Sequence, residues 1–188
     1  MEHFYENIDG FMTDRNKQLF DKVIESTDDN FVWVELGSWT GKSAAYCIVE
    51  LYNQKKLKEF HCVDTWKGSE GTILMDLSIV KEDTLFDVFK QNLLPVENLV
   101  TTHRMMSWEA AKDFEDESVD FCYVDADHNY KGVMKDLKAW WPKIKPGCYM
   151  GGDDYTKGWP GVQKAVRDFF GKKNIKVVRV GRCWVVKK

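Results

Sequence analysis

The sequence is short of several features that would place it elsewhere. No apolar stretch approaches the roughly 20 residues that a membrane-spanning helix needs. No signal-peptide pattern is found, so a cytoplasmic protein is expected. The five cysteines, Cys47, Cys62, Cys122, Cys148 and Cys183, contain no C-x-x-C pair, and each falls inside an expected helix or strand. That argues against zinc and against a disulfide framework, and for buried, reduced thiols. No long basic run occurs and the net charge is -3, which excludes wholesale binding to a nucleic-acid backbone. Internal repeats, low-complexity tracts and a composition shift marking a second domain are also missing. The 188 residues therefore read as one domain, large enough to bury a proper core. Tryptophan, by contrast, is plentiful: the eight residues suit a core, with some left to face a pocket or a partner.

Apolar runs alternate with amphipathic stretches along the chain. Residues 1–12 carry Phe4, Tyr5, Ile8, Phe11 and Met12 without a clear period, and are expected to form an arm or lid, or a contact in a homodimer. Thr13 is placed to cap a helix whose apolar face is Leu19, Phe20, Val23 and Ile24. Phe31 to Leu36 is apolar almost throughout, as in a strand covered on both faces. The next helix presents Ala45, Ile48, Val49 and Tyr52. Further strands are expected over Phe60 to Asp64, Leu99 to Thr102, Val119 to Val124 and Cys148 to Met150, the last entered through a turn at Lys145-Pro146-Gly147. A long connection over residues 65–82 fits a lid or binding loop. Asp83 or Thr84 can cap a helix bearing Phe86, Phe89 and Leu93. Helices also follow from Ser107 to Phe114 and on the stripe Val133, Leu137, Trp140 and Trp141. Pro160 opens the last helix, with Val162, Val166, Phe169 and Phe170 inward. Val177 to Val180, Gly181-Arg182 and Cys183 to Val186 read as a β-hairpin. This order predicts an α/β fold with a mostly parallel sheet, helices on both faces and an antiparallel end.

The chain is organised around Val32 to Ser43. An apolar run ends in Glu35, then Gly37 and Gly41 bracket a turn, and a helical pattern begins. Glycines let the backbone turn sharply and let a ligand approach it. The helix N-terminus beyond them offers free N–H groups, near Ser38 and Ser43, to polar or anionic atoms. Two familiar motifs do not fit. The middle glycine of a dinucleotide fingerprint is replaced by Trp39, and the first glycine of a phosphate loop ending in Gly41-Lys42-Ser43 is replaced by Leu36.

The acid-x-Gly-x-x-x-Gly stretch, with the order of elements over residues 31–188, resembles the class I S-adenosylmethionine-dependent methyltransferases. The resemblance implies a Rossmann-like, doubly wound, mostly parallel seven-stranded sheet with a C-terminal antiparallel hairpin, preceded by an arm and helix over residues 1–30. It implies that S-adenosylmethionine is held by Glu35, Gly37, Ser38, Gly41 and Ser43, with Asp64 on the ribose and Asp125 at the rim. A carboxylate such as Asp64 can accept both vicinal hydroxyls of a ribose. Thr65 and Trp66 would pack along the adenosine. Ser107 and Trp108 match the place where the family contacts the adenine, although Ser107 reads equally as a plain helix cap.

In that fold the strands ending in Asp125 and in Asp153-Asp154 are neighbours, about 4.8 Å apart. Like charges so close repel, so a divalent cation or nearby lysines should compensate, unless the acids splay into solvent. Oxygen ligands favour Mg²⁺, Mn²⁺ or Ca²⁺ over zinc. Asp125-x-x-His128 followed by Asp153-Asp154 further resembles a subfamily that includes metal-dependent sugar O-methyltransferases of antibiotic biosynthesis. There the aspartates hold Mg²⁺ and the histidine is the base. Many relatives carry His-Asp at the second place, so Asp153 is a departure, and Asp153, Asp154 or both are candidate ligands. Glu70 and Asp76 are candidates for a further ligand. His128 has the intrinsic pKa range of a base, or it can cap the following helix or bond a carbonyl. His3, His61 and His103 read as structural. The expected function is divalent-metal-assisted O-methylation of a sugar or other small hydroxylated metabolite. The alternative is a non-catalytic S-adenosylmethionine-binding partner or regulatory subunit.

Overall fold

The computed structural model describes residues 1–69 and 72–188. The helix α1 (Asp14–Glu25) opens with a capping box: the Asn16 N–H donates to the Thr13 hydroxyl, and the Thr13 N–H to the Asn16 side chain. Its stripe Leu19, Phe20, Val23 and Ile24 is buried. Then follow β1 (Phe31–Leu36), α2 (Lys42–Asn53), β2 (Leu57–Asp64), α3 (Ser78–Lys81), α4 (Leu85–Asn92), β3 (Val100–Arg104), α5 (Ser107–Ala110), β4 (Val119–Val124), α6 (Tyr130–Trp140), β5 (Ile144–Gly152), α7 (Pro160–Gly171), β6 (Val178–Val180) and β7 (Cys183–Lys187).

The strands form a seven-stranded sheet in the order β3-β2-β1-β4-β5-β7-β6. The first five are parallel, and β7 runs antiparallel to both β5 and β6. Side chains alternate between two cores. Phe31 and Trp33 of β1 face α1, α2 and α4, whereas Val32, Val34 and Leu36 face α6 and α7. Double coverage is why β1 is buried at every position. The chain order reverses between β1 and β4, so the tips of these two strands open a crevice at the C-terminal edge of the sheet.

Some local expectations are corrected. Lys145-Pro146-Gly147 is not a turn before β5 but lies inside it. Gly147 takes φ +82 and its N–H bonds the Lys188 carbonyl at 3.0 Å, so the backbone bends while remaining in the sheet. Tyr52, expected on the inner face of α2, is 48% exposed at the helix end. The 65–82 connection holds a 3₁₀ turn, Ile73–Asp76, as well as α3. Of residues 1–12, Ile8 is buried and Phe4, Tyr5 and Met12 pack on the core, while Phe11 is exposed. Among the described residues no helix is long and apolar enough to cross a membrane.

Candidate active site

Gly37, at the tip of β1, has φ +88, and a Cβ there would lie 2.1 Å from the backbone oxygen of Asp125. Only glycine fits such a position. The turn is pinned from two sides: the Gly37 N–H donates to the Val63 carbonyl and the Asp125 N–H to the Leu36 carbonyl, each at 2.8 Å. Gly41 has φ +87 at the N-terminus of α2, and a Cβ there would press on Leu93 and Phe89.

Glu35 and Ser38 lie buried beneath this turn. Burial pushes the Glu35 carboxyl up to about 7, and the hydroxyls of Ser43 and Ser38 beside it offset only part of that. The Ser38 hydroxyl lies beside the Glu35 carboxylate, yet neither it nor Glu35 Oε1 completes a well-aligned hydrogen bond. Orphaned polar atoms beneath a glycine turn are what a polar ligand would satisfy, so the residues fit a bound S-adenosylmethionine.

Asp64 ends β2 beside the turn. Its Oδ2 accepts from the Trp39 N–H at 2.9 Å and its Oδ1 from the Trp66 N–H at 2.7 Å. Burial raises its pKa and these backbone donors counter the rise. Each oxygen keeps capacity for one ribose hydroxyl. Thr65 is half-buried beside it. Trp66 points into the core, against Phe86 and Phe89, and its indole N–H holds the Trp39 carbonyl at 2.8 Å. It braces the turn from beneath, with no ring surface at the rim.

Ser107 does not cap its helix; Met106 occupies the N-cap position. The Ser107 hydroxyl bonds Asp136 of α6, and its carbonyl accepts from the Trp140 indole at 2.9 Å. Burial pushes Asp136 up to about 7, against the opposing hydrogen bond from Ser107. The Trp108 ring lies 4.1 Å below the Lys135 ammonium.

Beyond β4 and β5 the acids converge. Asp125, His128 and Asp154 each place one potential ligand atom within 4.8 Å of the others. His128 Nε2 lies 2.7 Å from Asp154 Oδ2, its Nδ1 is 3.4 Å from the Ser69 hydroxyl, and its ring packs at a tilt against Trp159, with centroids 4.2 Å apart. Burial, then the charges of Asp153 and Asp154, push the Asp125 carboxyl well above the usual range. Burial pushes Asp154 the same way, but His128 and Arg182 outweigh it and hold its carboxyl low. Asp153 is turned aside. Its Oδ2 accepts from Asn16 of α1 at 2.9 Å, and its Oδ1 from Arg182 at 3.0 Å and the Asp154 N–H at 2.7 Å. Two carboxylates and an imidazole at this spacing suit a small divalent cation.

The rim also has residues that the sequence reading missed. Arg182 forms half of the expected hairpin turn, and the antiparallel pairing of Gly152 with Trp184 carries that turn to the strand tips. Asn16 bonds Tyr123 as well as Asp153. Its signal was a polar residue three positions before Leu19, on an apolar helix stripe. Of the remaining expectations, Asp76 lies away on the 3₁₀ turn, paired with Lys81, and Glu70 falls outside the described residues. His61 and His103 pair with each other at 3.2 Å, and His3 with Glu50.

A family described as a methyltransferase domain matches residues 34–155. No curated protein matches. Among solved structures, the O-methyltransferase NovP has a TM-score of 0.72 at 13% identity, over 93% of this chain and 79% of that one. TomG from Streptomyces achromogenes, an O-methyltransferase of tomaymycin synthesis in complex with SAM, gives 0.67 at 13% identity, over 95% and 82%. CalS11, a TDP-rhamnose 3'-O-methyltransferase of calicheamicin biosynthesis, gives 0.61 at 16% identity, over 92% and 76%. At these identities the structural likenesses establish the fold, and the family match spans more than half of the sequence. The chain therefore belongs to the methyltransferase-domain family, with the fold of the class I S-adenosylmethionine-dependent methyltransferases.

Proposed function

We propose that this protein transfers the methyl group of S-adenosylmethionine to a hydroxyl of a small acceptor. The observation that carries the proposal is His128 paired with Asp154 beside Asp125, on the same strand-tip edge as the glycine turn and Asp64. Glu35, Gly37, Ser38, Gly41, Ser43 and Asp64 would seat the methyl donor, with Thr65, Ser107 and Trp108 farther along it. His128 then takes the proton of the acceptor hydroxyl. Asp154 orients the imidazole and stabilises the imidazolium that forms, and Trp159 fixes the plane of the ring. The acceptor oxygen attacks the methyl carbon in line, the carbon–sulfur bond breaks, and S-adenosylhomocysteine leaves. Alignment of the two reactants supplies most of the acceleration.

Asp125 and Asp154 are the residues that would hold Mg²⁺, Mn²⁺ or Ca²⁺, with Asp153 behind them. A bound ion supplies a lowered pKa to a hydroxyl placed on it. A sugar is the acceptor class we favour. The TDP-rhamnose methylation described for CalS11 supports it, as do Trp39 and Trp159, two half-buried rings near the strand tips that can stack on a sugar face.

The test is transfer of labelled methyl from S-adenosylmethionine to a panel of sugars and sugar nucleotides, with simple phenols alongside. Labelled product that falls by about 10²–10⁴ in His128→Gln is expected. Tight binding of S-adenosylhomocysteine with no transfer to any acceptor would instead favour a non-catalytic subunit.

A further inference from the structure

Arg182 reaches the acid pair from the turn between β6 and β7 and binds both carboxylates. Its Nε donates to Asp153 Oδ1 at 3.0 Å, and its Nη2 donates to Asp154 Oδ1. A planar guanidinium suits two acceptors set side by side, where a lysine would offer one point charge. The acids are almost wholly buried, with side chains 5% and 7% exposed, whereas the Arg182 side chain is 43% exposed. The arginine is held by its main chain, since its carbonyl accepts from the Tyr155 N–H at 2.8 Å. A fixed backbone with a partly solvated side chain can release the carboxylates without unfolding the hairpin.

This arrangement supplies positive charge to two neighbouring carboxylates that would otherwise repel. Asp154 has one oxygen on Arg182 and the other on His128. Each oxygen keeps a lone pair, but an ion shared by Asp125 and Asp154 would reach it against the positive charge of the guanidinium or beside the His128 ring.

We infer that Arg182 is the resident counter-ion of the Asp153–Asp154 pair and competes with divalent metal for Asp154, so that metal binds tightly once the guanidinium moves away. Its consequence for methyl transfer rests on the function proposed above; the competition itself does not. Arg182 is thus a positioning residue that sets the metal affinity of the rim.

The experiment is a titration of the full-length protein with Mn²⁺, reading free Mn²⁺ by electron paramagnetic resonance, without any methyl donor. Native protein, Arg182→Gln and Arg182→Lys are compared. Mn²⁺ affinity at least 10-fold tighter in Arg182→Gln is expected, with the gain removed by adding Asp125→Asn. Arg182→Lys keeps the charge but spans one carboxylate, and should lie between; if Arg182→Gln does not fold, a gain of a few-fold in Arg182→Lys carries the test. Equal affinity in all the variants that fold, whether strong or absent, would overturn the inference. Thermal shifts with S-adenosylhomocysteine on the same samples report separately on the methyltransferase reading.

Discussion

His128 Nε2 and Asp154 Oδ2 stand 2.7 Å apart across the loops that leave two neighbouring strands. An imidazole with a carboxylate on one nitrogen is held in one orientation, and the carboxylate faces the positive charge the ring acquires when it takes a proton. Asp154→Asn keeps the shape but removes that charge. It should lower kcat by about 10–100-fold, less than loss of His128 itself, and leave the affinity for S-adenosylhomocysteine unchanged. Steady-state kinetics on the acceptor that the methylation panel identifies would check this. An unchanged kcat would show that the pair is structural.

Gly37 is the position at which a single methyl group should do the most damage. A Cβ there lies 2.1 Å from the Asp125 carbonyl oxygen, a backbone atom that cannot rotate away, and φ is +88. The left-handed conformation alone costs about 1 kcal/mol, and displacement of β4 adds to it. Gly37→Ala should lose several kcal/mol in urea unfolding, or fail to fold. Gly41→Ala meets the side chains of Leu93 and Phe89 at 3.1–3.3 Å, which can shift, and should cost less.

Asp136 makes stability depend on pH. Its carboxyl is raised from 3.8 to about 7 by burial, so the native state holds a proton that the unfolded chain has released. The contribution is fully present below about pH 4 and is lost as pH rises through about 7. Across this window stability should fall by at most about 1.4 kcal/mol per pH unit from this one group. Glu35, also raised to about 7, acts in the same sense. Asp136→Asn, which can still accept from Ser107, should flatten the profile in part and raise stability at pH 8. Urea unfolding at pH 5 and pH 8 compares the two proteins; equal slopes would contradict the assignment.

Asn16 ties the N-terminal helix to the rim. Its Nδ2 lies 2.8 Å from the Tyr123 hydroxyl and 2.9 Å from Asp153 Oδ2. Asn16→Leu leaves the buried Asp153 oxygen without that donor and removes half of the capping box, at a cost of about 2–3 kcal/mol. Hydrogen exchange should quicken first in α1. Exchange unchanged in α1 would place its anchor elsewhere.

Much of this molecule could be read from its residues. The parallel strands declared themselves because double burial makes runs such as Phe31 to Leu36 apolar throughout, and Gly37 and Asp64 stood at strand ends, where the fold puts ligands. The converging acids were legible for the same reason. What escaped depended on long-range placement. Arg182 lies 28 positions from Asp154 along the chain, and only the antiparallel return of β7 brings it back. Trp66 follows Asp64 in sequence, yet its side chain turns into the core against α4, a direction no local pattern encodes. Ser107 reads equally as an adenine contact or a helix cap; its hydroxyl meets Asp136, from an element that follows later in the chain.

The measurement that bears most directly on the account is calorimetric titration of S-adenosylhomocysteine into the native protein and into Asp64→Asn. Asp64 keeps free acceptor capacity beside the orphaned Glu35 and Ser38 atoms. Binding at one site per chain is predicted for the native protein, weakened at least 10-fold in Asp64→Asn with the fold retained, because a charged hydrogen bond is worth about 1.5–3 kcal/mol. No binding to the native protein at saturating S-adenosylhomocysteine, or equal affinity in the variant, would contradict it.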